Sequence, residues 1–177
     1  SQLEPKEREK IISSFGLDAS KDFVSILPGS RGSEISQLMP VYIEAAKKLL
    51  ILNPNTFFLI PAANKELARM IESIESINDI PFNLSIDCAQ DFLALSPISI
   101  VTSGTASLEA AVLGSAPIIC YKTNKLNYAI LSRLLKTPFI GLPNLLLQEF
   151  IFPELVQNNL TPNTIVESFQ KILIDSG

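Results

Sequence analysis

Short apolar runs alternate with longer amphipathic segments along most of the chain. The short runs are rich in isoleucine, valine and phenylalanine and are bounded by polar or turn-forming residues, a pattern that predicts buried β-strands. They lie at Phe23–Leu27, Thr56–Ile60, Asn83–Ile86, Ile98–Val101 and Pro117–Tyr121. Because strands that alternate with helices are typical of a parallel sheet covered on both faces, we predict an α/β fold.

The segments between these strands place apolar residues at helical spacing. Thr161 precedes Pro162 at the start of the last segment, which is the usual order of an N-cap and a first helical residue. Pro40 falls inside the second helix and is expected to kink or split it. The predicted helices are Pro5–Phe15, Glu34–Leu52, Lys65–Ile77, Asp91–Leu95, Ala106–Leu113, Leu126–Leu135 and a last one from Pro162 to about Ile174.

Composition excludes several kinds of chemistry. The 177 residues suit one compact domain, and their net charge of -4 argues against a nucleic-acid binder, which needs a basic surface. Histidine is absent, so the chain has no histidine metal ligand and no histidine base for a serine or cysteine nucleophile. Cys88 and Cys120 form no CxxC pair, which argues against a zinc site or a disulfide framework. The P-loop, GxGxxG and GxSxG motifs do not occur.

Ligands of parallel α/β sheets bind beyond the carboxyl ends of the strands, where loops enter helices. The first such loop, here named the first turn, is Pro28–Ser33. Its two glycines allow close approach of the backbone, Ser30 supplies a hydroxyl, and Arg31 supplies a planar fork of donors that matches phosphate oxygens. The following helix start also favours an anion. The first turn is therefore a candidate phosphate site; the alternative is an ordinary tight turn with Arg31 in solvent.

The second turn, Ser103–Thr105, follows the fourth predicted strand. Its hydroxyls and the amides of the next helix can face one point, which would suit a diphosphate. Glu109 lies about one helical turn past Thr105 among almost entirely apolar neighbours. A carboxylate in such surroundings needs polar partners, and the vicinal hydroxyls of a ribose would supply them. The alternative is an ordinary solvated helix residue.

The two turns, in this order and spacing, resemble those of the lipid-A-disaccharide synthases. The similarity runs from about Val24 to Gln157. Beyond the turns it includes Tyr121-Lys122, the Leu-Pro-Asn-Leu sequence within Lys136–Leu146, and Pro153–Gln157. Many nucleotide-sugar transferases share the pattern SGTxxxE, so the later segments make the resemblance specific.

Members of that family are GT-B glycosyltransferases with two Rossmann-like halves. The resemblance implies that residues 1–177 form the C-terminal half, which binds the UDP-sugar, without the N-terminal half that holds the acceptor site and an acidic general base. The implied reaction transfers 2,3-diacylglucosamine from UDP to 2,3-diacylglucosamine 1-phosphate (lipid X) and gives lipid A disaccharide 1-phosphate and UDP. It uses no metal or other cofactor. The implied location is cytoplasmic, in peripheral contact with the inner face of the cytoplasmic membrane, and the isolated half is expected to be inactive.

The resemblance also assigns roles to single residues. Arg31 would stabilise the leaving diphosphate, Glu109 would hold the ribose hydroxyls, and the loop Asp87–Gln90 would meet uracil through its backbone. Asn144 would orient the sugar or phosphate; its alternative is a turn-forming asparagine after Pro143. The implied ligands of the UDP-sugar are Gly29, Ser30, Arg31, Ser103, Gly104, Thr105, Glu109 and Asn144.

Two positions depart from the family pattern, and two other functions remain open. Lys122 stands where arginine is expected, which keeps the charge but loses the bidentate fork, and Gln148-Glu149 stands where Arg-Glu is expected.

The segment Leu126–Lys136 is either a core helix or a membrane-facing one. The other functions are a different GT-B enzyme that uses UDP-N-acetylglucosamine, such as the peptidoglycan transferase or a UDP-sugar 2-epimerase, and a nucleotide-binding module without catalysis.

Overall fold

The computed structural model describes residues 3–102, 104–125, 127–129 and 137–176. Its strands are β1 (Asp22–Leu27), β2 (Thr56–Ala62), β3 (Phe82–Ile86), β4 (Ile98–Thr102), β5 (Ala116–Tyr121) and β6 (Glu154–Val156). All neighbouring strands pair in parallel, in the order β3–β2–β1–β4–β5–β6. This is the strand order of a Rossmann fold, and it confirms the predicted parallel α/β sheet.

Helices cover both faces of the sheet because strand side chains alternate in direction. Val24 and Ile26 of β1 pack with one set of helices, whereas Phe23 and Leu27 pack with the other. The first set contains α2 (Gly32–Leu52), α3 (Lys65–Glu72) and α7 (Pro162–Asp175); the second contains α1 (Pro5–Ser14), α4 (Ala89–Leu95) and α5 (Gly104–Val112). The elements that complete the described part are the short helix α6 (Leu142–Leu147) and 3-10 turns at Glu75–Asp79 and Gln157–Asn159.

Two predicted helices differ from those observed. The helix predicted over Lys65–Ile77 ends at Glu72, and a 3-10 turn begins at Glu75. Of the two expected effects of Pro40, a split of the helix is wrong, because α2 runs through this position without interruption. Pro40 faces solvent, while Met39 and Tyr42 beside it are completely buried, so packing of the apolar face outweighs the missing backbone hydrogen bond.

Other differences concern the last third of the chain. The pattern of apolar residues did not predict α6 or the three-residue strand β6. The predicted cap of the last helix is confirmed, because Thr161 Oγ1 accepts a hydrogen bond from Thr164 N at 3.1 Å. Most of the helix predicted over Leu126–Leu135 lies outside the described residues. Among the described helices, none is both long and apolar enough to span a bilayer.

Strand order determines where a ligand can enter. The order reverses between β1 and β4, because the chain builds outward from β1 to β3 on one side and from β4 to β6 on the other. At such a switch point the loops that follow neighbouring strands diverge to opposite faces and leave a crevice. The first turn follows β1 and the second turn follows β4, so the two turns flank this crevice.

Candidate functional site

A cleft of about 650 Å³ opens at the carboxyl ends of β1 and β4. Four parts of the chain line it: the first turn, the end of β2, the loop between β3 and α4, and the end of β4 with the start of α5. They are distant in sequence but lie at one rim because all of them follow parallel strands. The volume is in the range of pockets that hold cofactors and small substrates.

The cleft brings together several of the residues predicted from sequence. Gly29 and Ser30 of the first turn line it together with Thr105 and Glu109, and the loop Asp87–Gln90 lines it as well. Arg31 and Gly104 are neighbours of lining residues but do not line the cleft themselves. Ser103 lies outside the described residues.

A carboxylate of the same chain holds the backbone of the first turn. Glu34 Oε2 accepts hydrogen bonds from Ser30 N at 3.0 Å and from Arg31 N at 3.2 Å. Gly29 has a φ of 101°, and a Cβ at this position would collide with the Glu34 carboxyl group. The first turn therefore binds an anion already, and position 29 requires glycine. Sequence reasoning missed Glu34, although a glutamate three residues past a helix N-cap is a known capping signal.

Arg31 is the N-cap residue of α2 and its side chain is exposed. Its backbone N–H is taken by Glu34, but within the described part of the chain its guanidinium has no hydrogen-bond or ion-pair partner. An unpaired guanidinium beside the cleft can turn toward a ligand without first breaking a contact. A phosphate would satisfy its donors in a bidentate manner.

The second turn rests on buried polar contacts. Thr102, at the end of β4, is buried, and its Oγ1 lies 2.7 Å from the hydroxyl of the completely buried Tyr42. Burial, together with the nearby Cys120, raises the pKa of Tyr42 well above its usual value, so this hydroxyl is neutral at physiological pH. The pair anchors the end of β4, and the first amides of the following helix, α5, have no partners within the helix.

Glu109 has the polar partner that its apolar neighbours require. Gln90 Nε2, from the start of α4, donates a hydrogen bond to Glu109 Oε1 at 2.9 Å. Glu109 is half-buried, and in the described part of the chain its second carboxylate oxygen has no partner. One oxygen is thus oriented by Gln90, and the other is available to a ligand hydroxyl. The sequence placed Gln90 in the loop expected to meet uracil but did not predict its contact with Glu109, because that contact joins two helices that are separated along the chain.

Asn144 is fully buried and is not among the residues that line the cleft. Its Nδ2 donates to Phe152 O at 2.8 Å and to Glu154 Oε1 at 2.9 Å, and its Oδ1 accepts from Ile151 N and Phe152 N. All of its hydrogen-bonding capacity is therefore used within the protein. This corrects the expectation that Asn144 contacts the sugar or phosphate of the UDP-sugar. The geometry favours the alternative, in which Asn144 stabilises a turn.

The two cysteines do not provide a nucleophile. Cys88 lines the cleft but is 4% exposed, and Cys120 of β5 is completely buried. Burial raises the pKa of each thiol to about 12, so both are protonated at physiological pH. Among the described residues there is no cluster of three or more acidic or cysteine side chains suited to a metal ion.

Solved structures of glycosyltransferases share this fold. The E. coli ADP-heptose lipopolysaccharide heptosyltransferase II aligns with a TM-score of 0.64 at 15% identity, over 99% of this chain and 53% of that protein. WaaG, a glycosyltransferase involved in lipopolysaccharide biosynthesis, aligns with a TM-score of 0.58 at 13% identity, over 98% of this chain and 44% of that protein. The fold is that of one half of a GT-B glycosyltransferase, as predicted.

Sequence comparison gives the family. The lipid-A-disaccharide synthase of Chromobacterium violaceum is 35% identical over 99% of this chain and 46% of its own length. That of Hahella chejuensis is 38% identical over 89% of this chain and 40% of its own length. The chain thus spans about half the length of the curated relatives that it matches. The family model described as lipid-A-disaccharide synthetase matches residues 2–176, and the chain therefore belongs to the lipid-A-disaccharide synthetase family.

Proposed function

We propose that this chain is the UDP-sugar-binding half of a lipid-A-disaccharide synthase. The observation that carries the proposal is that Gly29, Ser30, Thr105 and Glu109 all line the same cleft. A diphosphate fits between two turns at helix starts, and a ribose fits beside a carboxylate. Membership of the family supports the identity of the transferred group.

In this proposal the sugar donor is UDP-2,3-diacylglucosamine. The loop Asp87–Gln90 meets the uracil ring through its backbone, and the available oxygen of Glu109 accepts hydrogen bonds from the ribose hydroxyls. The diphosphate lies between the guanidinium of Arg31 and the second turn, Ser103–Thr105. Gly29 and Ser30 of the first turn border the same space, but Glu34 occupies the amides of Ser30 and Arg31, so the attraction on this side comes from the Arg31 side chain.

The chemical task of this half is to stabilise the leaving group. As the bond between the anomeric carbon and the diphosphate oxygen breaks, negative charge accumulates on the diphosphate. Arg31 and the amides at the start of α5 oppose that charge, and such fixed donors act more strongly in a cleft than in bulk water. The proposal assigns the acceptor, 2,3-diacylglucosamine 1-phosphate (lipid X), and the general base to the part of the longer relatives that this chain does not match.

The reaction is tested with the natural full-length protein. We expect it to convert UDP-2,3-diacylglucosamine and lipid X into lipid A disaccharide 1-phosphate and UDP in equal amounts, measured by mass spectrometry and a UDP assay. UDP-N-acetylglucosamine, which lacks the acyl chains, should compete poorly. Preferred transfer from UDP-N-acetylglucosamine would support the other GT-B enzymes, and UDP binding without any transfer would support a non-catalytic module.

We also propose that the protein contacts the membrane peripherally at this rim. Leu146, Leu147 and Phe150 are each about 60% exposed, and they follow the start of α6, which packs beside Gly104. Lys122 and Lys125 follow β5 and suit an anionic lipid surface. In a vesicle co-sedimentation assay, replacing the three apolar side chains by serine should release the protein from anionic vesicles. Unchanged sedimentation would contradict the contact.

A further inference from the structure

Glu154, the first residue of β6, binds the backbone of Ile140 and Gly141, which lies next to Gly104 of the second turn. Its Oε2 accepts a hydrogen bond from Ile140 N at 2.9 Å. Its Oε1 accepts hydrogen bonds from Gly141 N and from Asn144 Nδ2, both at 2.9 Å. The half-buried carboxylate therefore binds three donors, two of which are consecutive backbone amides. Neither sequence reasoning nor the proposed function gives Glu154 a role.

The held segment packs closely against β5 and the Glu154 carboxylate. A Cβ at position 141 would collide with the side chain of Ile119 in β5 and would lie 3.2 Å from Glu154 Oε1. Asn144 adds a second connection, because it bonds to Glu154 and to the backbone of Phe152. The backbone at Gly141 is thus confined between β5 and the carboxylate.

The same segment touches the second turn. A Cβ at position 104 would lie 3.1 Å from Ile140 O and 3.7 Å from Leu142 N. Gly104 is the first residue of α5, so the backbone of Ile140 lies directly against the point where the helix amides begin. A displacement of Ile140 would therefore displace the start of α5 as well.

We propose that Glu154 is a positioning residue for the diphosphate: it holds Ile140 and Gly141 so that the second turn keeps the orientation that phosphate binding requires. The inference rests on the proposed function, because it needs the second turn to bind phosphate. Glu154 itself lies outside the lining of the cleft, so it acts through Gly104 and not by touching the ligand.

The substitution Glu154→Gln tests this with little change of shape. A glutamine accepts at only one of the two positions and presents an N–H group at the other, facing a backbone amide that is itself a donor. In the natural full-length protein, we expect the variant to bind UDP at least about tenfold more weakly by isothermal titration calorimetry. Uridine, which has no phosphate, should bind within about twofold of the unchanged protein.

The ratio of UDP affinity to uridine affinity distinguishes a specific loss of phosphate binding from a general loss of the folded site. The control Glu167→Gln changes the same charge on the exposed side of α7 and should leave both affinities unchanged. Glu154→Asp keeps a carboxylate and should recover part of the ratio. If Glu154→Gln does not fold, as judged by circular dichroism, the ratio in Glu154→Asp decides, and a reduced ratio is expected.

If the unchanged protein binds UDP more tightly than uridine, two results for Glu154→Gln would overturn this inference but not the proposed function. One is an equal loss of affinity for UDP and uridine, and the other is no loss of affinity for either. An unchanged protein that binds UDP no better than uridine would overturn the proposed function, and the inference with it.

Discussion

The two turns at the cleft are held in different ways. In the first turn, a carboxylate of the same helix, Glu34, takes the amides of Ser30 and Arg31. In the second turn, the contacts come from residues outside α5. The hydroxyl of Tyr42 in α2 is hydrogen-bonded to Thr102 of β4, and the backbone of Ile140 lies against Gly104. In the first turn two amides are thus bound internally, and the Arg31 guanidinium has no partner among the described residues, whereas the second turn can offer helix amides to a ligand.

This difference divides the work of binding a diphosphate. The Glu34 carboxylate would repel a phosphate at the amides of the first turn, so attraction on that side must come from the Arg31 side chain. On the other side, the helix start of α5 provides fixed dipoles. Substitution of Arg31 in the first turn should therefore weaken stabilisation of the charge on the diphosphate. Substitutions around the second turn should change the orientation of the amides at the start of α5.

Arg31→Ala gives the largest expected effect. In the full-length protein, turnover should fall by about 10²–10³, because one fixed donor to the developing charge is lost. The thermal unfolding midpoint should stay nearly the same, since the side chain is exposed and has no partner among the described residues. Steady-state kinetics and a thermal melt provide the two readouts.

Two further variants control for charge. Arg69→Ala removes an exposed arginine of α3 that does not line the cleft, and should leave turnover near its normal value. Arg31→Lys keeps the positive charge but loses the fork, and should fall between the two. Normal turnover in Arg31→Ala would remove the first turn from the mechanism.

Glu109→Ala comes next in size. It should weaken UDP binding by about 10- to 100-fold, because hydrogen bonds from the ribose to a charged acceptor are lost. Pyrophosphate, which has no ribose, should bind the variant and the unchanged protein alike in a calorimetric titration. A similar loss of affinity for both ligands would mean that Glu109 supports the fold of the cleft and does not recognise the pentose.

Glu34→Ala should act on stability. Two backbone amides at the start of α2 lose their acceptor, so the free energy of unfolding should fall by about 1–2 kcal/mol in urea denaturation. Glu167→Ala, at an exposed position with no such contact to any residue that the structure describes, should stay within about 0.5 kcal/mol. Equal stability of the two variants would show that the first turn does not depend on its internal anion.

Tyr42 gives the smallest effect, and it depends on pH. Its pKa is raised in the folded protein, so below the unfolded value of 10.0 its contribution to stability is complete. Above that pH the unfolded chain loses the proton first, and stability falls by up to about 1.4 kcal/mol per pH unit as pH rises toward the folded pKa. Tyr42→Phe should make the alkaline decline shallower, whereas Tyr121→Phe at a half-buried site should not. Parallel declines in both variants would contradict the role of burial.

Most of the sheet could be predicted from sequence, because β1, β2, β4 and β5 are short apolar runs bounded by turn residues. β6 could not, since its three residues include the charged Glu154 and form a strand only by pairing with β5. The same limit applied to Pro40, where burial of neighbouring side chains overrides a local preference. The local sequence pattern therefore predicted the strands that consist of apolar residues. It missed the features that depend on tertiary contacts, namely β6 and the continuous helix at Pro40.

The candidate site follows the same division. Gly29, Ser30, Thr105 and Glu109 were found because they follow strands, and strand order alone brings such loops to one rim. Glu34, Gln90 and Glu154 were missed as partners, since each acts through a hydrogen bond that only coordinates reveal. For Asn144 the motif suggested a ligand contact, but its four hydrogen bonds are all within the protein.

A calorimetric titration of the full-length protein with UDP, UMP and ADP tests the cleft most directly. We expect one UDP site per chain, weaker binding of UMP because it lacks the second phosphate, and weaker binding of ADP because the loop at Asp87–Gln90 meets the base. Equal affinity for UDP and UMP would contradict a diphosphate held between the two turns. Absence of UDP binding would contradict a nucleotide site in this cleft altogether.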